Sequence, residues 1–403
     1  MKSFFPKIRS IAAAAAVFVF AANAAAQVST AGERQNEGDQ ERRNQVIVFN
    51  VDQLYAAVND SQNAGREIVA APGIYILSAT DSSGAPRPNG GRLEFQEDMS
   101  LVGVVGDRTA VVISGINLPA SVLPNAPIPF GAIRLGRGRN VVEWLTVRDT
   151  RGGQGNIVTS LAYSGTQYVR VAHVASTGAP TNLSIFSFGS APVLEVDLVD
   201  NDLFDAVGGL RLGLRIRNSS GATGGVINAR LIGNRVWGNQ FNIIINTAAT
   251  GATTNVTSVA NNYFDNGNGL TLVGALNSSG NTLNFQGFAD SFTNNNAGSA
   301  FERGGLVMVA GDKGAPTPGT TAIPANNNTV NASLYACRFS GNERWDLAAI
   351  GARSFAGSVG GPGDNNHVTV NLAGIPRRPP FVEFFAHSIP PEYSATNSVT
   401  VER

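Results

Sequence analysis

Val199-Asp200-Asn201-Asp202-Leu203, Ile232-Gly233-Asn234-Arg235-Val236, Val259-Ala260-Asn261-Asn262-Tyr263 and Phe288-Ala289-Asp290-Ser291-Phe292 share one register: apolar, any, Asn or Asp, any, apolar. Tyr335-Ala336-Cys337-Arg338-Phe339 is a fifth copy in which Cys replaces the amide. The first four copies start 33, 27 and 29 residues apart, which is the length of a structural repeat and not of a helix or hairpin period. A chain with such a repeat winds, and each turn buries its apolar side against the next.

Each copy has a second half. Leu210, Ile243, Leu270 and Leu306 form one apolar column, and Leu212, Ile245, Leu272 and Met308 form another two residues on. Alternate residues of a strand share a face, so the two columns predict a common interior. Polar bends such as Gly238-Asn239-Gln240 and Asp265-Asn266-Gly267 separate the halves, in a composition that suits left-handed turn residues. A coil is therefore expected to run strand, bend, strand, loop. The repeats are rich in Val, Ile, Asn, Thr and Gly, which a helical solenoid would not tolerate. Strands stacked at about 4.8 Å place Asn201, Asn234, Asn261 and Asp290 above one another, so an internal hydrogen-bonded ladder is expected.

Upstream, Asn50-Val51-Asp52-Gln53-Leu54-Tyr55-Ala56-Ala57-Val58 is followed by Ile68-Val69-Ala70-Ala71-Pro72-Gly73-Ile74-Tyr75. Asn50 is a helix N-cap with Gln53 closing a capping box, and Val51, Leu54, Ala57 and Val58 form one stripe, so a helix is expected near Asp52 to Asp60. With these two segments and the Asn-bearing coils, the chain resembles the right-handed parallel β-helix proteins of the pectate-lyase-like superfold. The resemblance implies an all-β solenoid with an N-terminal capping helix over about 46–375. It also implies a polysaccharide partner, since enzymes of that superfold mostly cleave or remodel acidic polysaccharides. They do so by β-elimination with an Arg or Lys base, often with Ca²⁺, or by hydrolysis with paired Asp.

The specific motifs of those enzymes are absent. There is no Trp-Ile-Asp-His, Arg-x-Pro-x-x-Arg or Gly-His-Gly, and Arg215-Ile216-Arg217 is only distantly similar to the Arg-Ile-Lys of polygalacturonase-like hydrolases. Past the first stretch, the single lysine is Lys313. Activity, if any, is thus expected to be lyase-like or hydrolase-like on an extracellular glycan. The alternative is a non-catalytic surface, structural or adhesion β-helix.

Composition bounds the setting. Lys2, Lys7 and Arg9 precede an apolar run from Ile11 to Ala22 and the small residues Ala24-Ala25-Ala26, the pattern of a cleaved export signal over 1–26. The run is short for a membrane span, and no other segment approaches one. We therefore expect a secreted, periplasmic or cell-surface protein. Removing the signal leaves 26 basic against 29 acidic side chains, a balance of −3 that offers no nucleic-acid footprint. Residues 27–45 read as a disordered polar spacer, and 376–403, with Phe381, Phe384 and Phe385 between prolines, as a C-terminal cap. Cys337 is the only cysteine, and its place in the ladder column predicts a buried, inert thiol.

Candidate site residues come from the outward columns. Aligning the earlier coils on Val147 and Val174 gives Thr146, His173, Asp202, Arg235, Asn262, Ser291, Arg338. His173, Asp202 and Arg235 on successive coils form a candidate acid–base constellation. Asp197, Asp200 and Asp205 lie close by in sequence and are the candidate Ca²⁺ ligands. Phe204, Trp237 and Phe264 recur at the coil spacing, as a sugar-stacking platform or as core, with Arg211, Arg215 and Arg217 as donors to carboxylates or sulfates.

Overall fold

A computed structural model describes residues 44–120, 131–151, 155–159, 165–189, 191–208, 211–219, 223–247, 249–296, 304–313, 325–343, 345–354, 363–372, 375, 382–385 and 396–402. The export signal and nearly all of the spacer lie outside the described residues, as does Leu210. No described helix is long and apolar enough to cross a membrane.

The described strands form three sheets of twelve, nine and ten strands, and every pairing within them is between successive coils. The pairings are parallel, as Val193–Val199 on Val226–Ile232 and Asp202–Phe204 on Arg235–Trp237 show. This is a parallel β-helix, wound right-handed as parallel crossovers are. The twelve-stranded sheet carries Pro192–Val199, Val226–Ile232, Thr253–Val259, Thr282–Phe288 and Thr329–Tyr335. The nine-stranded sheet carries three-residue strands, among them Asp202–Phe204, Arg235–Trp237 and Asn262–Phe264. The ten-stranded sheet carries Leu212–Asn218, Phe241–Thr247 and Asn268–Leu276.

A coil thus has three strands where two were expected, because the five-residue repeat is itself a corner. Its second residue is left-handed in every copy: Asp200 (φ 49°), Gly233 (65°), Ala260 (54°), Ala289 (56°) and Ala336 (54°). That single residue ends one strand and resets the alternation. The first apolar residue of the repeat consequently faces outward on the twelve-stranded sheet, while the fifth faces the core: Ile232 is 37% exposed and Val236 is 0%.

The residue after the turn forms the ladder. Asn234 donates from its backbone N (2.8 Å) and from Nδ2 (2.8 Å) to Asn261 Oδ1, and Nδ2 also donates to the Leu198 carbonyl (2.8 Å). Asn201 repeats the pattern onto Asn234, and Asn261 repeats it onto Asp290. Two further ladders, not expected, occupy the other corners: Asn239, Asn266, Asn295, Asn342 and Asn281, Asn328, Asn366, Asn397. At the second corner the left-handed residue has a tighter neighbour. A Cβ on Gly238 (φ 65°) would stand 2.2 Å from Asp205 Oδ1, so a side chain there would have to displace that carboxylate, while Asp205, Asp265 and Asn294 hold the equivalent left-handed position on other coils.

The inner columns differ from the expected ones in the ten-stranded sheet. Leu270 stacks on Leu306 and Leu272 on Met308 as anticipated. Ile243 and Ile245, however, pair with Thr271 and Val273, and it is Ile244 that sits between Ile216 and Leu272. An irregularity between Leu212 and Arg215 inserts one residue, so Leu212 pairs with Phe241 and falls out of the column that Ile216 and Ile244 share.

The capping helix spans Val51–Asn59. The Asn50 side chain accepts from Gln53 N (3.0 Å), and Gln53 Oε1 accepts from Phe49 N (2.8 Å). Leu54, Tyr55, Ala57 and Val58 are buried in the same core as Ile68 and Leu101. At the other end the winding continues past Ile375: Ser398–Glu402 joins the twelve-stranded sheet and Val382–Phe385 the ten-stranded one. Alternating Val399 and Val401 with an Asn at position 397 give this segment the same strand chemistry as the coils before it.

Asp290 ends the described hydrogen-bonded run of the first ladder above Cys337, which is 2% exposed with its thiol pushed up to about 12 by burial. Burial raises the Asp290 carboxyl from 3.8 to about 6, against hydrogen bonds from Ser258 and Asn261. A raised folded-state value means stability that is complete below about pH 4 and lost as pH rises through about 6. Asp290→Asn should remove that loss and be more stable than the native chain by about 2 kcal/mol at pH 8, with no such gain at pH 4. Parallel denaturant titrations that show the same pH dependence for both would refute this. Asn234→Leu or Asn261→Leu should each destabilise by about 1–3 kcal/mol, since neighbouring amides and the preceding backbone N–H lose their acceptor. Unchanged denaturant midpoints would count against the ladder.

Candidate functional site at the corner of two sheets

The left-handed turn residue projects its side chain outward at the corner between the twelve- and nine-stranded sheets. Along most of the winding that position holds Gly or Ala. On three successive coils it holds Trp144 (φ 57°), His173 (54°) and Asp200 (49°). Trp144 and His173 stack with centroids 3.9 Å apart and planes 13° from parallel. His173 Nδ1 lies 3.0 Å from Asp200 Oδ2. The imidazole is therefore fixed by a ring on one side and by a carboxylate at one nitrogen, an arrangement that holds one tautomer and orients Nε2.

Beside this file stands the first outward column of the nine-stranded sheet. Asp202 there receives a bidentate pair from Arg235, Nε at 2.7 Å and Nη2 at 2.6 Å. Those hydrogen bonds hold the Arg235 guanidinium above its ordinary pKa. Arg108 reaches over from an earlier coil and bridges the two acids, 2.6 Å from Asp200 Oδ2 and 3.2 Å from Asp202 Oδ2. Thr146 Oγ1 anchors the Arg108 carbonyl at 2.9 Å. Arg235 is 56% exposed at its side chain and His173 24%, so both present atoms to solvent while Asp202, at 12%, is mostly covered.

His173, Asp202 and Arg235 are thus brought to one corner, but not in the expected register. The column that continues Asp202 upstream is Ala175 and then Thr146. His173 belongs to the neighbouring file, two residues earlier. Val174 caused the slip: it occupies the ladder position that Asn201 fills one coil on, whereas the inward position belongs to Ser176, paired with Leu203. Arg108 and Trp144 were missed. Trp144 stands in Glu143-Trp144-Leu145-Thr146-Val147, which occupies the same place in its coil but departs from the repeat at two positions, with Glu for the first apolar residue and Leu for the amide. Arg108 lies in a loop without periodicity and carried no signal.

Phe204, Trp237 and Phe264 do face outward, in the second outward column of the nine-stranded sheet. Phe204 and Trp237 stack at 4.5 Å and 2°, and Trp237 and Phe264 at 5.4 Å and 15°. Because the rings lie face to face along the winding axis, each covers its neighbour's face and offers edges to a ligand. The row fits coil-to-coil cohesion better than a sugar platform. Two of the three arginines lie away from it. Arg215 and Arg217 project from the ten-stranded sheet, their guanidinium carbons 4.6 and 5.9 Å from the Phe186 ring. Burial, and then Arg217, lowers Arg215 to about 9. Arg211 is exposed at the second corner, where its φ is 47°.

The candidate calcium ligands do not converge. Asp197 sits on the outer face of the twelve-stranded sheet, held by Arg230 (2.6 and 2.8 Å) and Tyr168 (2.5 Å). Burial alone would raise its carboxyl, but these hydrogen bonds outweigh it and hold it below the ordinary value. Asp200 is engaged by Arg108 and His173, and Asp205 lies at the second corner against Gly238. Among the described residues no three acidic, histidine or cysteine side chains are grouped to hold a metal. A calcium ion does not fit this donor set.

The fold and this corner define a parallel β-helix protein with a carboxylate-oriented histidine among arginines. No protein-family model and no curated protein matches the chain. Among solved structures it is similar to the A-module of a mannuronan C-5 epimerase of Azotobacter vinelandii, at 14% identity over 85% of this chain and 99% of that one, with a TM-score of 0.38. It is also similar to a pectate lyase, at 15% identity over 85% and 76% of the two chains with a TM-score of 0.33. A rhamnogalacturonan lyase shares 13% identity over 78% and 84%, with a TM-score of 0.26. At such identities the likeness concerns the winding and not the chemistry.

Trp237→Ala should destabilise the protein by about 1–3 kcal/mol, because it removes both contacts of a three-ring stack and leaves a gap between coils. A variant with native stability but lost glycan binding would instead make the row a ligand platform.

Proposed function

We propose that the protein is exported and acts on an acidic polysaccharide, with His173 moving a proton at the corner between the twelve- and nine-stranded sheets. The observation that carries this reading is the His173–Asp200 pair, stacked on Trp144 and bordered by Arg108 and Arg235. In a uronate the C–H next to the carboxylate is the acidic carbon position. Arg235, half-exposed, supplies the fixed positive charge that a carboxylate needs while that carbon gains electron density. His173 Nε2 takes the proton. The electron pair left behind either forms a C=C bond and expels the β-glycosidic oxygen, which leaves as a hydroxyl with a proton from water, or takes a proton from water on the opposite face and so inverts that carbon. Asp202 keeps Arg235 in place and Asp200 keeps His173 in its tautomer. Both acids are taken up by arginines and so are not placed as the acid and base pair that hydrolysis by two carboxyl groups needs.

A second reading, a non-catalytic surface protein, draws on the same engagement: an ion-pair network that satisfies itself is also what a structural corner looks like. An activity screen over uronate-containing polysaccharides separates the two, with product followed by ultraviolet absorbance of unsaturated ends and by proton NMR for remodelled sugars. His173→Gln and Asp200→Asn should lower turnover by about 10²–10⁴-fold while the melting temperature stays near the native one. Full activity in His173→Gln would remove His173 from the chemistry.

A further inference from the structure

The repeat places three files side by side along the same corner, running from the histidine cluster toward the C-terminal coils. The last outward residues of the twelve-stranded sheet are Val199, Ile232, Val259, Phe288 and Tyr335, paired coil on coil. Three of these large apolar side chains are well exposed: Ile232 37%, Phe288 39% and Tyr335 40%. The left-handed file beside them shrinks from Asp200 to Gly233, Ala260, Ala289 and Ala336, and a Cβ placed on Gly233 would meet nothing within 4 Å. On the far side runs Asp202, Arg235, Asn262, Ser291 and Arg338, again paired coil on coil. The corner is a strip with small residues along its middle, an apolar file on one flank and a polar file on the other, in which Arg235, one coil after Asp202, and Arg338, on the last coil, are exposed.

We propose that this strip is a track that binds a single anionic polysaccharide chain laid parallel to the winding axis, from the His173–Asp200 pair to Arg338. The proposal rests on the function proposed above and names where the rest of that polymer lies. Five coils at about 4.8 Å give a track of about 19 Å, the reach of a short oligosaccharide and far more than one sugar needs. Sugar rings carry apolar C–H faces and polar rims, which match the two unlike flanks. Arg235 and Arg338 supply positive charge for carboxylates spaced along the chain. A peptide strand is a poor occupant, because the corner offers no unpaired strand edge for it to extend. A lipid surface would not need the polar flank.

Binding of oligogalacturonates and oligomannuronates of graded length to the full chain, measured by calorimetry beside turnover, tests the track. Affinity should rise from dimer to hexamer. Phe288→Ala, Tyr335→Ala and Arg338→Glu should each weaken hexamer binding by roughly tenfold and leave dimer turnover unchanged. Ile76→Ala, equally exposed on another part of the surface, should change neither. A hexamer that binds no tighter than a dimer, or three variants with native hexamer affinity, overturns the track while dimer turnover still upholds the reading of His173. Binding that depends on Phe288, Tyr335 and Arg338 without any turnover upholds the track and removes the proton transfer. A native protein that binds no uronate of any length overturns both.

Discussion

The side-chain amide at each corner is the interaction on which this protein depends. A coil of three short strands must turn three times, and every turn takes backbone N–H groups out of the sheet ladders. Burying them without partners would cost about 1–3 kcal/mol each. Asn solves this because its Oδ1 accepts a backbone N–H and a side-chain N–H from the coil before it, while its own Nδ2 reaches a carbonyl. Three such ladders, through Asn234, Asn266 and Asn328, let the chain turn sharply at the same place on coil after coil. Apolar stacking between the ladders, as in the rings of Tyr263, Phe292 and Phe339 with centroids 5.1 and 5.0 Å apart, then adds cohesion along the axis.

The candidate site follows from the same turn. A left-handed residue bends the chain and throws its side chain outward, clear of both sheets. Where the position is Gly or Ala it makes the bend and leaves the corner bare of large side chains. On the coils of Trp144, His173 and Asp200 the same position carries the candidate site's side chains; on the first two of these the ladder position is held by Leu145 and Val174, and the amide run begins at Asn201 beside Asp200. The rigid corner supplies spacing of one side chain per coil in each file, so groups far apart in sequence meet without a flexible loop to hold them. Asp290 marks the opposite end of the hydrogen-bonded run, where a carboxyl takes an amide's place and burial raises its pKa.

What the sequence determined by itself was whatever repeats. The recurrence of Asn201, Asn234, Asn261 and Asp290, the β-rich composition and the Asn50 cap were sufficient for a parallel β-helix with a capping helix, because each is a local chemical requirement met again on every coil. Cys337 was legible as buried for the same reason. The outward aromatic row was visible as a periodicity, although its use was not.

Only the tertiary structure decided what depends on register and on long-range approach. Ala260, Ala289 and Ala336 adopt a left-handed conformation that nothing in alanine announces, so the corner inside the repeat stayed hidden, and a third strand with it. Ile244, and not Ile243, stands in the core, because it is Ile244 that the strand register pairs with Ile216 and Leu272. His173 reached its partners through a file two residues from the expected one, because Val174 stands where later coils have Asn. Arg108 arrives from 92 residues before Asp200. Local propensity sees the turn residue and its neighbours; which side chains share a corner is set by how the coils stack, and that is a property of the whole winding.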